Sequence, residues 1–164
     1  MARPVRRAVK WGLYSVLFLM TIVLETVFLG HTTIAGTKLS FVPVVIACIA
    51  AREGAEAGGL FALLCSIFWC FSGSDYGSLN IFILTLVGVT AGYFCGAHLT
   101  KNLLPTMLFC LIALALSQGG VYFLRLYLDA SVPPGGLLLV AKQVGLSVVS
   151  GPVFWLLARF IGRV

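Results

Sequence analysis

Charge is what this sequence has least of. Charged residues make up 10% of its 164 residues, 60% are hydrophobic, and mean hydropathy is +1.08. A soluble domain is nearer a quarter charged, so this chain could not cover its surface against water. Histidine is almost missing as well, with His31 and His98 the two in the chain, which leaves little for an imidazole metal centre. The five cysteines, Cys48, Cys65, Cys70, Cys95 and Cys110, fall inside apolar runs and no pair has CxxC spacing. They read as small apolar packing residues, and a disulfide framework is not expected. No GxSxG, HExxH, P-loop or paired-carboxylate pattern occurs, so neither enzymatic activity nor a cofactor or metal is expected. Internal repeats, heptad arrays and low-complexity segments are missing too.

What is present is a succession of apolar runs. The expected fold is all-α, a polytopic membrane bundle of about six transmembrane helices, two of them short, forming a single integral membrane domain over residues 1–164. Met1 to Lys10 reads as a basic leader, and Trp11 to Gly30 as an uncleaved first span. Phe41 to Ala51 and Ala57 to Phe71 are both short for a hydrocarbon core of about 30 Å, and are joined by a charged, small-residue turn. These two must lean on longer neighbours, and the alternatives of five and six spans divide here. Leu79 to Gly96, Leu103 to Leu124 and Leu137 to Leu157 are the remaining spans. Ser117 to Gly120 reads as a polar, flexible step in the fifth, and Gly151-Pro152 as a kink in the sixth.

The eleven Lys and Arg against five Asp and Glu are not patterned for nucleic acid. Arg3, Arg6, Arg7 and Lys10 precede the first run, Arg52 and Lys101 fall between runs, and Arg159 and Arg163 follow the last. With six spans, that distribution puts both termini in the cytoplasm, as the positive-inside bias requires.

Candidate site residues are few. Gly88, Gly92 and Gly96 recur every four residues, so they share one helix face on which another helix can approach closely. That glycine helix, with the runs from Arg52 onward, reads as the packing centre of the bundle. Glu25 and Lys142 are the ionisable residues set within spans. Either they form an ion pair fixing the first helix to the last, or each snorkels to the headgroups. Asp75 and Asp129 read as turn residues, and Arg52, Glu53 and Glu56 as a solvated turn. A solute-binding subunit would instead need convergent polar groups, for which Asn80, Gln118, Lys142 and Gln143 are the candidates.

One stretch resembles a known family. Arg52-Glu53-Gly54, Gly58-Gly59-Leu60, the turn Phe71-Ser72-Gly73-Ser74-Asp75-Tyr76-Gly77-Ser78-Leu79-Asn80, and Val87-Gly88-x-x-Ala91-Gly92 together resemble MreD, a small polytopic protein of the bacterial rod-shape machinery. The likeness covers about Ser40 to Gly96; beyond it only hydropathy agrees. One departure is Trp69, where the family commonly carries an acid. The resemblance implies a non-enzymatic scaffold working beside MreC, the MreB filament, RodA and penicillin-binding synthases in lateral peptidoglycan insertion. The alternative from another class is a solute-binding subunit like the S-components of energy-coupling-factor vitamin transporters, which have similar length and helix number.

Overall fold

The computed structural model describes residues 3–28, 39–72, 79–97, 103–128 and 136–162, and among these every regular element is helical. Helix α1 spans Arg3–Val23 and widens into a π-helical turn, Leu24–Phe28. Helices α2 (Val42–Glu53), α3 (Ala55–Phe71), α4 (Leu79–Ala97) and α5 (Leu103–Leu128) follow. The last rod is broken: α6 (Gly136–Val149) stops at Ser150 and α7 (Gly151–Ile161) continues, with proline in its first turn. A proline there lacks only an N–H that would have no partner in its own helix, so a new helix can start where the old one breaks.

The centre of the bundle is α2. Ten consecutive residues, Val42 to Ala51, are buried, and α1, α3, α4, α5 and α7 all pack against this one helix. Its sequence is rich in β-branched Val and Ile, which are indifferent helix formers. It is helical because an apolar interior offers no other partner for its backbone, and only a helix satisfies N–H and C=O within one segment. Gly54 ends it, with φ at +93°, and α3 begins at the next residue. A side chain at that φ would be strained, so glycine permits a one-residue corner between two helices.

Helices α3 and α4 run antiparallel in close contact. A Cβ placed on Gly88 would overlap the Ala62 methyl, and one on Gly92 would lie 2.5 Å from the Gly54 carbonyl. Gly58 in turn packs on the Ala50 backbone. Where lipid removes the hydrophobic reason for helices to associate, this close backbone approach supplies van der Waals contact instead. An aromatic seam closes the opposite flank. Trp11, Tyr14 and Phe18 of α1 meet Phe61 of α3 at ring-centroid distances of 5.6, 6.4 and 6.3 Å.

The outward faces are apolar. Met20, Phe71, Phe82, Leu104 and Val149 are exposed, together with many other large aliphatic and aromatic side chains. Among the described residues, three rods are long and apolar enough to cross a membrane: Arg7–Val27, Leu103–Phe123 and Gly136–Ile161. Helices α3 and α4 contribute shorter apolar runs, Ala55–Phe71 and Leu79–Cys95.

Several expectations are corrected. The basic leader is helical from Arg3 and continuous with the first span; Arg and Lys are good helix formers, and Lys10 is tied to α2 as described below. Ser117 to Gly120 is no flexible step, since α5 runs unbroken through it, and Ser117 and Gln118 are buried. The Arg52 to Gly96 stretch supplies the close glycine contact of α3 and α4, while the most enclosed helix is α2, which ends at its start. The Ser-Gly turn with Asp75, and also His31, Lys38, His98, Lys101, Asp129 and Arg163, lie outside the described residues.

The glycine contacts make a sharp contrast. Gly92→Leu forces a side chain against the backbone of the Gly54 corner, and should cost about 1–3 kcal/mol or more. A Cβ on Gly119 meets nothing within 4 Å, so Gly119→Ala should be neutral or stabilise by up to about 1 kcal/mol. Thermal unfolding of the purified protein in detergent measures both; equal losses at the two positions would contradict the packing.

Candidate functional site

The site is built around the two ends of α2, because a buried helix leaves its terminal N–H and C=O groups without partners. At its N-terminus, Phe41 supplies no side-chain cap. Glu25, from the π-helical turn of α1, reaches across instead. Its Oε2 accepts from the backbone N–H of Phe41 at 2.9 Å and of Val42 at 3.2 Å, and its Oε1 accepts from the Ser40 hydroxyl at 3.2 Å. The Ser40 N–H donates to Ser147 Oγ of α6, also at 3.2 Å. Three successive N–H groups thus find acceptors, and Pro43 has none to satisfy. A carboxylate here also faces the positive end of the α2 dipole, which stabilises it without a cation.

At the other end, Glu53 sits in the last turn of α2, where the dipole disfavours an acid. Two residues of α1 offset this: Lys10 Nζ lies 2.6 Å from Glu53 Oε2, and Tyr14 donates its hydroxyl to Oε1 at 2.8 Å. Lys10 and Tyr14 are one helical turn apart, so one face of α1 supplies both donors. Arg52 lies against Gly162 just past the end of α7; a Cβ there would be 2.9 Å from Arg52 Nε. This places a cation at the negative end of a second helix. Arg159 stacks over Trp155 nearby, 5.1 Å from the ring centroid. Lys10, Arg52 and Arg159 define a basic end of the bundle.

Both clamps join α1 to α2, and their spacing matches. From Lys10 to Glu25 is 15 residues of nearly continuous helix, about 22 Å, while the 12 residues of α2 span about 18 Å. A helix of that length starting at the basic end stops well short of the far side of a hydrocarbon core of about 30 Å. The Glu25 cluster lies near the end of the apolar window Arg7–Val27, inside the bundle, where backbone groups without partners are costly.

The expected ion pair between Glu25 and Lys142 is not formed. The carboxylate of Glu25 is fully engaged at the α2 N-terminus, and Lys142 is exposed on α6. Among the described residues the ion pair is Lys10–Glu53. Glu53, read from sequence as part of a solvated turn, is instead the acceptor at the centre of that clamp. An acid in the last turn of an apolar helix was a signal that a cation had to be near. Gly88 and Gly92 lie on the α3 contact, and Gly96 in the last turns of α4.

The four polar candidates for a solute site do not behave alike. Lys142 is exposed and Gln143 half-buried on α6. Asn80 and Ser117 are buried on α4 and α5, and neither the Asn80 amide atoms nor the Ser117 hydroxyl has a hydrogen-bond partner. Gln118 is buried and partnered. Among the described residues no three His, Cys, Asp or Glu side chains gather as metal ligands. Cys48 and Cys110 bring their sulfurs to 3.6 Å inside the core as free thiols. No family model, curated protein or solved structure matches this chain.

Double-mutant cycles test the clamps. Glu25→Ala strands two buried N–H groups and should lower unfolding stability by about 2 kcal/mol or more, with Glu25→Gln losing less because its amide oxygen still accepts. Lys142→Ala should be silent, and the Glu25–Lys142 cycle additive within about 0.5 kcal/mol. The Lys10–Glu53 cycle should instead show coupling of about 1 kcal/mol or more, since the pair is largely shielded. Detergent or thermal unfolding of the purified protein reads all of these.

Proposed function

We propose that this protein is a membrane scaffold of the bacterial cell-shape machinery, an MreD-like component that couples an MreC-like partner, and through it MreB filaments, RodA and penicillin-binding synthases, to lateral wall synthesis. The observation that carries the reading is the use of the interior acids. Glu25 and Glu53 both serve to fix α2 in place, which suits a rigid platform whose work is done on its outer face. The stretch carrying the MreD resemblance, Ser40 to Gly96, corresponds to α2, its glycine corner, α3 and α4, the most tightly packed part of the fold. In this reading the chain crosses the inner membrane six times with both termini in the cytoplasm, at the basic end.

A second reading rests on Asn80 and Ser117. Buried polar atoms without partners are uncommon in native interiors, and a small hydrogen-bonding solute would satisfy them, as in an S-component-like transporter subunit.

Crosslinking in the native membrane, followed by purification of the tagged protein and mass spectrometry, separates the two. Recovery of MreC-like and wall-synthesis proteins, with cells that round up when this protein is depleted, is the expected result. Recovery of an ATPase and its transmembrane coupling subunit, with cell shape unchanged on depletion, would replace the scaffold by the transporter.

A further inference from the structure

Several hydroxyls in these helices are satisfied by their own backbone. Ser15, Thr21, Thr26, Thr85 and Thr90 each donate to the carbonyl four residues earlier, the usual outlet for a hydroxyl in an apolar helix. Ser117 departs from this. It is fully buried on α5, and its Oγ has no hydrogen-bond partner on its own helix or on another. Asn80, in the first turn of α4, is 3% exposed, and neither the oxygen nor the nitrogen of its amide has a partner. Buried polar atoms in native interiors nearly always find one, so two such side chains call for a third party.

The packing of α4 on α5 brings the two to one seam. Gly120 fixes the register: a Cβ there would lie 2.8 Å from Ile83 Cδ1 and 3.8 Å from Leu79 Cδ2. Asn80 stands between those two contact residues on α4, and Ser117 is one turn from Gly120 on α5. One turn along the same faces come Leu84 on α4, and Leu114 and Val121 on α5, all buried aliphatics that offer neither donor nor acceptor.

That enclosure selects the occupant. A bare ion is costly between aliphatic walls, and Glu25 and Lys142 are not free to pair with one there, the first engaged at the α2 N-terminus and the second exposed. An organic solute needs a cleft of about 300 Å³ or more, whereas the Ser117 and Asn80 polar atoms are sealed by direct packing. Water both donates and accepts, and it needs the room of about one probe sphere. The rotatable Asn80 amide and the flexible δ-methyl of Ile83 are the groups that yield to admit it. We propose that water resides in the α4–α5 seam and links the Ser117 hydroxyl to the Asn80 amide. The inference does not depend on the scaffold reading, and a sealed, permanently hydrated seam leaves no solute site at these two residues.

A double-mutant cycle of Ser117→Ala and Asn80→Leu tests it, read by reversible unfolding of the full-length protein in detergent. Ser117→Ala should raise the unfolding equilibrium constant about tenfold, although alanine is the better helix former. Asn80→Leu should do likewise. The double variant should lose less than the two single losses multiplied, because the second change removes a water already gone. A gain in stability in either single variant would show the groups to be dry, and independent losses would show that they share no water; each result overturns the proposal. An experimental density map that resolves ordered water should place one about 3 Å from Ser117 Oγ, bonded to Asn80 directly or through one more water, and the Ser117→Ala map should lack it. A wild-type map without that peak overturns the proposal as well. So does a bound organic molecule released in native mass spectrometry of the wild type and lost in Ser117→Ala, which would favour the transporter reading instead.

Discussion

A helix too short to cross a membrane, buried on every side, is the constraint on which the rest of this structure depends. Such a helix cannot hand its terminal N–H and C=O groups to water, so its neighbours must reach in to it. Glu25 does this at one end of α2, while Glu53, on α2 itself, draws donors from α1 at the other. Two of the five acidic residues in the chain are thereby committed to the placement of one helix. Each clamp bridges α1 and α2, and Ser147 brings in the last rod. The first, second and sixth rods are thus linked by polar contacts, whereas α3 and α4 are linked by close backbone approach.

The division of labour follows from the solvent. In water, hydrophobic burial would hold all these helices together, and polar links inside would add little. In lipid, apolar side chains gain little by leaving one apolar neighbour for another, so specificity must come from shape and from hydrogen bonds. Small residues give the first, with Gly58, Gly88 and Gly92 letting α2, α3 and α4 meet at their backbones. Buried acids, serines and a tyrosine give the second. The interior is thereby fixed, and the outer surface carries a groove beside Glu56.

This arrangement bears on function through what remains free. Acids inside a membrane protein are often read as relays or ligand contacts. Here Glu25 has its hydrogen bonds filled by backbone and serine, which makes it a structural cap. Asn80 and Ser117 are different, since their polar atoms are buried without partners. They mark the part of the interior where a water or solute would gain most by binding. The scaffold and transporter readings therefore diverge on the outer face of α3 and α4 and on the interior between α4 and α5.

Much of the fold was legible in the sequence. Scarce charge and long apolar runs required a helical membrane bundle, because no other open structure satisfies its backbone in lipid. The spacing of Gly88 and Gly92 announced a close helix contact, and Gly151-Pro152 announced the break between α6 and α7. Sequence alone could not show that the shortest apolar run is the centre, since hydropathy measures how apolar a segment is and not what surrounds it. Nor could it pair Glu25 with the α2 N-terminus or Lys10 with Glu53, which lie 16 to 17 and 43 residues apart. The acids themselves were visible; their partners were not, because a carboxylate among packed helices is satisfied by whichever donors folding brings near. Local chemistry determined which segments became helices, and packing in three dimensions decided which of them is enclosed.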